Sequence, residues 1–162
     1  MDSDIFKFWV DRKQKILVEE KELSNLYEDI AREIFTSLKF DNSASDNNNQ
    51  LLFLSCFENS LSYFADEIYE NFKNDLDSID KFNNLNKWKE LSKIKIFSNI
   101  ISEEIKNTGF INQVNDSKYK VADNSIQNLI ISNESNTLKK FNLLLDKYKT
   151  FKDLLRKMLH EC

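Results

Sequence analysis

A chain of 162 residues with one glycine, Gly109, and no proline lacks the two residues that sheet proteins rely on to turn corners. Average usage would supply about eleven glycines and eight prolines at this length. Sandwiches, barrels and doubly wound sheets need glycine at positive-φ turns and proline in loops, whereas helices joined by Asn, Ser and Asp need neither. The chain is therefore expected to be all-α. The same shortage removes function classes, because the P-loop and the dinucleotide fingerprint each need several glycines close together.

Length and polarity point to a single helical domain over residues 1–162, with one core. Hydrophobic residues make up 41% and charged residues 31%, too apolar for a disordered chain and too charged for a membrane span. No apolar run approaches the roughly 18 to 20 residues needed to cross a bilayer. The acidic start Met1-Asp2-Ser3-Asp4, followed by the charged run Asp11-Arg12-Lys13-Gln14-Lys15, does not read as a signal peptide. Cys56 and Cys162 are too few and too far apart for a disulfide framework, so an intracellular location, cytoplasmic or nuclear, is expected.

Hydrophobic spacing lays out an antiparallel helical bundle of four long helices plus one short helix. The first helix runs to about Lys39 on Ile5, Trp9, Ile16, Leu23, Tyr27, Ile30, Ile34 and Leu38, long enough at about 55 Å to extend past its neighbours. The polar run 41–49 reads as a flexible loop. The second helix carries the strongest pattern, with Leu54, Phe57, Leu61, Phe64, Ile68, Phe72, Leu76 and Ile79 on one stripe. A third helix is expected over about 85–107 on Trp88, Leu91, Ile94, Phe97, Ile101 and Ile105, closed by Gly109 as a left-handed cap. Over 110–121 a small β-hairpin competes with a loop, since Phe110 to Val114 and Tyr119 to Val121 flank the turn-like Asn115-Asp116-Ser117-Lys118. A short helix over 125–132 uses Ile126, Leu129 and Ile130, and a last long one over 137–160 uses Leu138, Phe141, Leu145, Tyr148, Phe151, Leu155 and Met158.

Catalytic and metal chemistry find no foothold. The one histidine, His160, stands two residues from Cys162 at the C-terminus, and a zinc site needs four ligands, usually in close pairs. Without an interior histidine there is no Ser-His-Asp or Cys-His set, and Glu67, Glu70, Glu103 and Glu104 fall on polar arcs rather than inward. No catalytic residue, cofactor, metal ion or small-molecule substrate is expected.

Charge is distributed unevenly. Residues 41–80 hold nine acids against one base, and residues 81–162 hold nine acids against fifteen bases. The simplest account pairs the acidic second helix with basic later helices inside the fold. The alternative is a charged partner outside it. The last helix carries Lys139, Lys140, Lys147, Lys149, Lys152, Arg156 and Lys157, but they scatter around its polar arc, so nucleic-acid binding ranks third. A few apolar residues sit off the core stripes: Leu143, Leu154 and Met158 on the last helix, and Leu51, Leu52 and Tyr63 on the second.

Of these, Leu143, Leu154, Met158, Leu52 and Tyr63 are the candidate partner-contact residues. The leading expectation is a non-enzymatic helical interaction protein, a small subunit or adaptor of a larger, hetero-oligomeric assembly. The alternative is a regulator that takes an amphipathic partner helix into a surface groove. The third is a nucleic-acid-binding module with the 110–121 hairpin as a wing.

Overall fold

A computed structural model of the chain describes residues 3–79, 83–126 and 136–161. Among them are six helices and no strand: α1 (Ser3–Ser37), α2 (Ala44–Phe72), α3 (Asn84–Leu91), α4 (Ser98–Glu104), α5 (Phe110–Ile126) and α6 (Leu138–Glu161). The fold is all-α, and no helix among the described residues is long and apolar enough to cross a membrane.

The turn between α1 and α2 is tighter than the polar run 41–49 suggests. Only residues 41–43 of that run lie outside a helix. Ser43 caps α2 by accepting from the Asp46 backbone N–H, and the Asp46 carboxylate accepts from the backbone N–H groups of Lys39 (2.7 Å) and Phe40 (2.9 Å) and from the Gln50 amide (2.8 Å). Asp46 is consequently buried, and the expected flexible loop is a built corner. Its cost is backbone strain, since Phe40 and Asn42 take φ of 53° and 61° where glycine is the usual resident. For Phe40 that costs about 1 to 2 kcal/mol. An edge-on ring contact with Phe141 at 5.3 Å works against that strain.

The helix expected over 85–107 is broken into α3 and α4. The turn hydrogen bonds Ile94 N–H to Leu91 O and Phe97 N–H to Ile94 O shorten the repeat to three residues. Leu91, Ile94 and Phe97, three residues apart, are all buried across this break.

Gly109 does not have a positive φ and is no left-handed cap. It is required by close approach, because a Cβ there would lie 2.3 Å from the Glu104 carbonyl oxygen.

The stretch 110–121 is neither hairpin nor loop but most of α5. Its first turn is capped by the Glu104 carboxylate, which accepts from the Phe110 N–H at 3.0 Å, and by the Gly109 carbonyl, which accepts from Gln113 N–H. Phe110, Val114, Ser117 and Val121 form a buried stripe at helical spacing, so the turn-like Asn115 to Lys118 lies within the helix. The short helix expected over 125–132 falls largely outside the described residues, Leu129 and Ile130 included.

Ring contacts and hydrogen bonds set the directions of the packed helices. Ser24 faces Ser60 and Phe35 faces Phe53, so α1 and α2 are antiparallel. Phe141 stacks on Phe53 at 4.8 Å and Phe151 meets Phe64 at 6.2 Å, so α6 runs the same way as α2. Phe110 touches Phe151 at 5.2 Å while Asn136 donates to the Ser117 carbonyl, so α5 runs opposite to α6. Helices α3 and α4 bridge α2 and α5, with Trp88 against Phe64 and Phe97 against Phe72. Each fully buried Phe or Leu in this core contributes about 1.5 to 3 kcal/mol.

Candidate protein interaction surface

The sequence joins its helices through polar groups as well as rings, and the two flanks of α6 differ in this respect. Toward α1 and α2, α6 presents Tyr148, Lys152 and Arg156. The Tyr148 hydroxyl, fully buried, lies 2.7 Å from Ser60 Oγ and 3.3 Å from Ser24 Oγ. Ser60 Oγ donates to the Ser24 carbonyl at 2.6 Å and Ser24 Oγ to the Ser60 carbonyl at 3.1 Å, so these small residues clasp α1 to α2 beneath the tyrosine. Burial pushes the Tyr148 phenol well above its ordinary value, holding it neutral as a hydrogen-bonding group.

Next to it, Lys152 is buried and donates to Glu28 at 2.8 Å. Burial opposes the charge on Glu28, but the hydrogen bonds from Lys152 and Arg32 outweigh it and lower the carboxyl below its ordinary value. One turn on, Arg156 holds Glu67 through two nitrogens, at 3.1 and 2.7 Å, donates to Asn25 at 2.9 Å and lies over the Phe64 ring. Glu67 is thus a buried partner of Arg156 and not the solvated carboxylate its position in the sequence suggests.

These pairs bear out the internal reading of the charge map. Acids of α2 meet cations of later helices: Glu58 with Lys118, Asp66 with Lys87, and Glu67 with Arg156. Lys87 is buried and also reaches Ser62 Oγ at 2.8 Å, a contact shaped like a serine–lysine dyad. Its remaining protons go to both oxygens of Asp66 at 2.7 Å, so the amine has no free lone pair with which to draw a proton from Ser62. Cys56 is buried and its thiol pushed up by burial, the opposite of an activated nucleophile. Glu103 pairs with Lys106, and the Glu104 carboxylate caps α5. No group of three or more His, Cys, Asp or Glu is arranged to hold a metal ion among the described residues.

The other flank of α6 faces α4 and is apolar and open. Ile100, Glu104, Asp146, Lys147, Thr150, Phe151 and Leu154 line a groove of about 310 Å³. Leu154 in its wall is 42% exposed, and Leu143, about three turns earlier on the same strip, is 49% exposed. Met158, one turn further on, is half-buried against the core. Of the five residues singled out in the sequence, the structure places these three on one strip of α6. It does not bring the other two there. Leu52 is exposed on α2, and Tyr63 is spent within the fold, stacked on Tyr27 at 5.6 Å with the rings 10° from parallel.

The sequence reading missed the opposite wall, Ile100 and Glu104. Ile100 sits beside the buried Ile101, and only its position one residue off the stripe hinted at a second face. A second cleft, of about 260 Å³, lies between α3 and α5, but its polar groups include structural ones: Asn83 caps α3 and Glu58 pairs with Lys118. Set against family models, curated proteins and solved structures, the chain has no match in any of the three.

Proposed function

We propose that this protein is a non-enzymatic helical interaction protein, a small subunit or adaptor, whose α4–α6 groove takes an amphipathic helix of a partner protein. The observation that carries this reading is a contrast within one helix. On its α1–α2 flank, α6 has its buried charges and hydroxyls matched, while on its α4 flank Leu154 remains 42% exposed in the wall of an apolar groove and Leu143, on the same strip, 49% exposed. Apolar side chains in line along a helix beside a groove, as Leu154 and Met158 are, one turn apart, give the geometry of helix-in-groove recognition. The closed aromatic core supports a chain that folds alone and presents the groove ready-formed, which favours the groove mode over an interface that forms only on assembly. The reducing interior of the cell suits the free thiol of Cys56.

Nucleic-acid binding has less support, because Lys87 and Lys152 are buried and Arg156 is held by Glu67, leaving fewer cations for phosphate. The test is a photo-reactive residue placed at Leu154 and, as control, at the exposed Asp75, in protein expressed in its native cells. The proposal expects one discrete crosslinked protein from position 154 and none from position 75. Equal labelling from both positions, or none from either, counts against it.

A further inference from the structure

The cations of this fold are not shared evenly between its acidic helices. In α2, Glu58, Asp66, Glu67 and Glu70 each have a cation within ion-pair distance. In α1, among the described residues, only Glu28 does, and it takes both Lys152 and Arg32. Glu19, Glu22, Asp29 and Glu33 on the outward side of α1 make no ion pair among the described residues, and all four are exposed. Arg32, the cation nearest in sequence to Asp29 and Glu33, is turned to Glu28 with two nitrogens, at 3.0 and 2.8 Å, and the exposed Lys15 and Lys21 make no ion pair with Glu19 or Glu22 among the described residues.

These carboxylates share their stripe with two of the most exposed apolar side chains of the molecule, Val18 at 50% and Leu26 at 53%. Positions 18, 22, 26, 29 and 33 follow one another by four, four, three and four residues, so they form one line along the helix. Lys15 lies on the same line, but from Val18 to Glu33 the line carries no cation, where a face that only met water would intersperse both signs as i, i+4 pairs. Instead Glu19 and Glu22 lie three apart and Asp29 and Glu33 four apart, like charges that repel and that an incoming cation would relieve.

We propose that this outward stripe of α1 docks a basic, amphipathic helix of a partner protein. Two apolar residues of that helix lie on Val18 and Leu26, and its lysines or arginines meet Glu19, Glu22, Asp29 and Glu33. The surface is separate from the α4–α6 groove, so it gives an adaptor its second face, and each surface can fail without the other. Charge sets the sign of the partner and the rate of encounter, and the two apolar residues set the register.

The test is fluorescence anisotropy of the full chain with a short labelled peptide of leucine and lysine in amphipathic helical spacing, at physiological ionic strength. A leucine and glutamate peptide of the same pattern is the counter-probe. The proposal expects the basic peptide to bind and the acidic one not to. Triple reversal Glu22→Lys, Asp29→Lys, Glu33→Lys should weaken binding about tenfold or more, and Leu26→Ser about threefold or more, on the order seen for interface charges and side contacts. An equal change of net charge elsewhere, Asp75→Lys, Asp116→Lys, Asp153→Lys, should leave binding within about twofold, as distant charges are screened. All these positions are exposed, so the variants fold and circular dichroism checks that they do. Absence of binding by the basic peptide, equal loss from both triple reversals, or indifference to Leu26→Ser would overturn the proposal.

Discussion

The two flanks of α6 are built from the same helix and do opposite things. Against α1 and α2 it brings Tyr148, Lys152 and Arg156 into a buried seam where each has a partner. Toward α4 it brings Leu154, 42% exposed in the groove wall, with Leu143, 49% exposed, earlier on the same strip. The seam specifies how α6 sits, because a buried charge or hydroxyl tolerates one alignment, while apolar packing alone tolerates several. The groove contributes little to that alignment. Stability and binding are therefore expected to separate cleanly along one helix.

The largest effect should come from stripping the seam of one charge. Glu28→Ala leaves Lys152 buried without its carboxylate and should cost about 3 to 5 kcal/mol. Urea unfolding reads this directly, and a loss under 1 kcal/mol would show that the seam does not align α6. Tyr148→Phe removes the hydroxyl that Ser24 and Ser60 share and should cost about 1 to 2 kcal/mol by the same assay.

Acid should act through Glu28 as well. Its carboxyl is lowered in the fold from an ordinary value of 4.5, so its contribution is present above that value and drains away as pH falls through the lower, folded one. Stability of the native chain should fall below about pH 4.5 more steeply than that of Glu28→Gln, as thermal melts across pH 3 to 6 would show.

Glu20 runs the other way. Burial first, and then the nearby Asp66, raise its carboxyl, and its Oε2 is enclosed with no donor. Its favourable contribution is present below the ordinary value and lost as pH rises through the raised one, so at pH 7 Glu20→Gln should be neutral or slightly stabilising. The smallest effect belongs to the groove, where Leu143→Ser with Leu154→Ser should move stability by less than about 1 kcal/mol.

The sequence made some of this legible and hid the rest for physical reasons. The α2 stripe of Leu54, Phe57, Leu61, Phe64 and Ile68 is buried as its spacing requires, because a long single-period pattern leaves little choice of face. The segregated charges were readable too, since opposite signs on neighbouring helices meet. The Ser24 and Ser60 clasp was not, because small polar residues on an apolar face read as gaps until a tyrosine from far along the chain reaches them. Asp46 looked like loop material because its value lies in accepting from the backbone N–H groups of Lys39 and Phe40 in the turn that follows α1. The 110–121 helix was obscured by turn-forming residues that tertiary packing overrides, with Ser117 drawn into the core. On α6, the off-stripe leucines were visible, but the wall that Leu154 faces was not, since it depends on the break between α3 and α4.

The most direct test of the account measures two quantities on one variant, Leu143→Ser with Leu154→Ser: the urea midpoint of the purified chain, and recovery of the protein that crosslinks at position 154 when the variant is affinity-purified from native cells. The account predicts a midpoint close to that of the unaltered chain, with that partner lost. A partner retained at full yield, or a midpoint that falls as far as that of Glu28→Ala, would contradict the division of α6 into a flank that folds and a flank that binds.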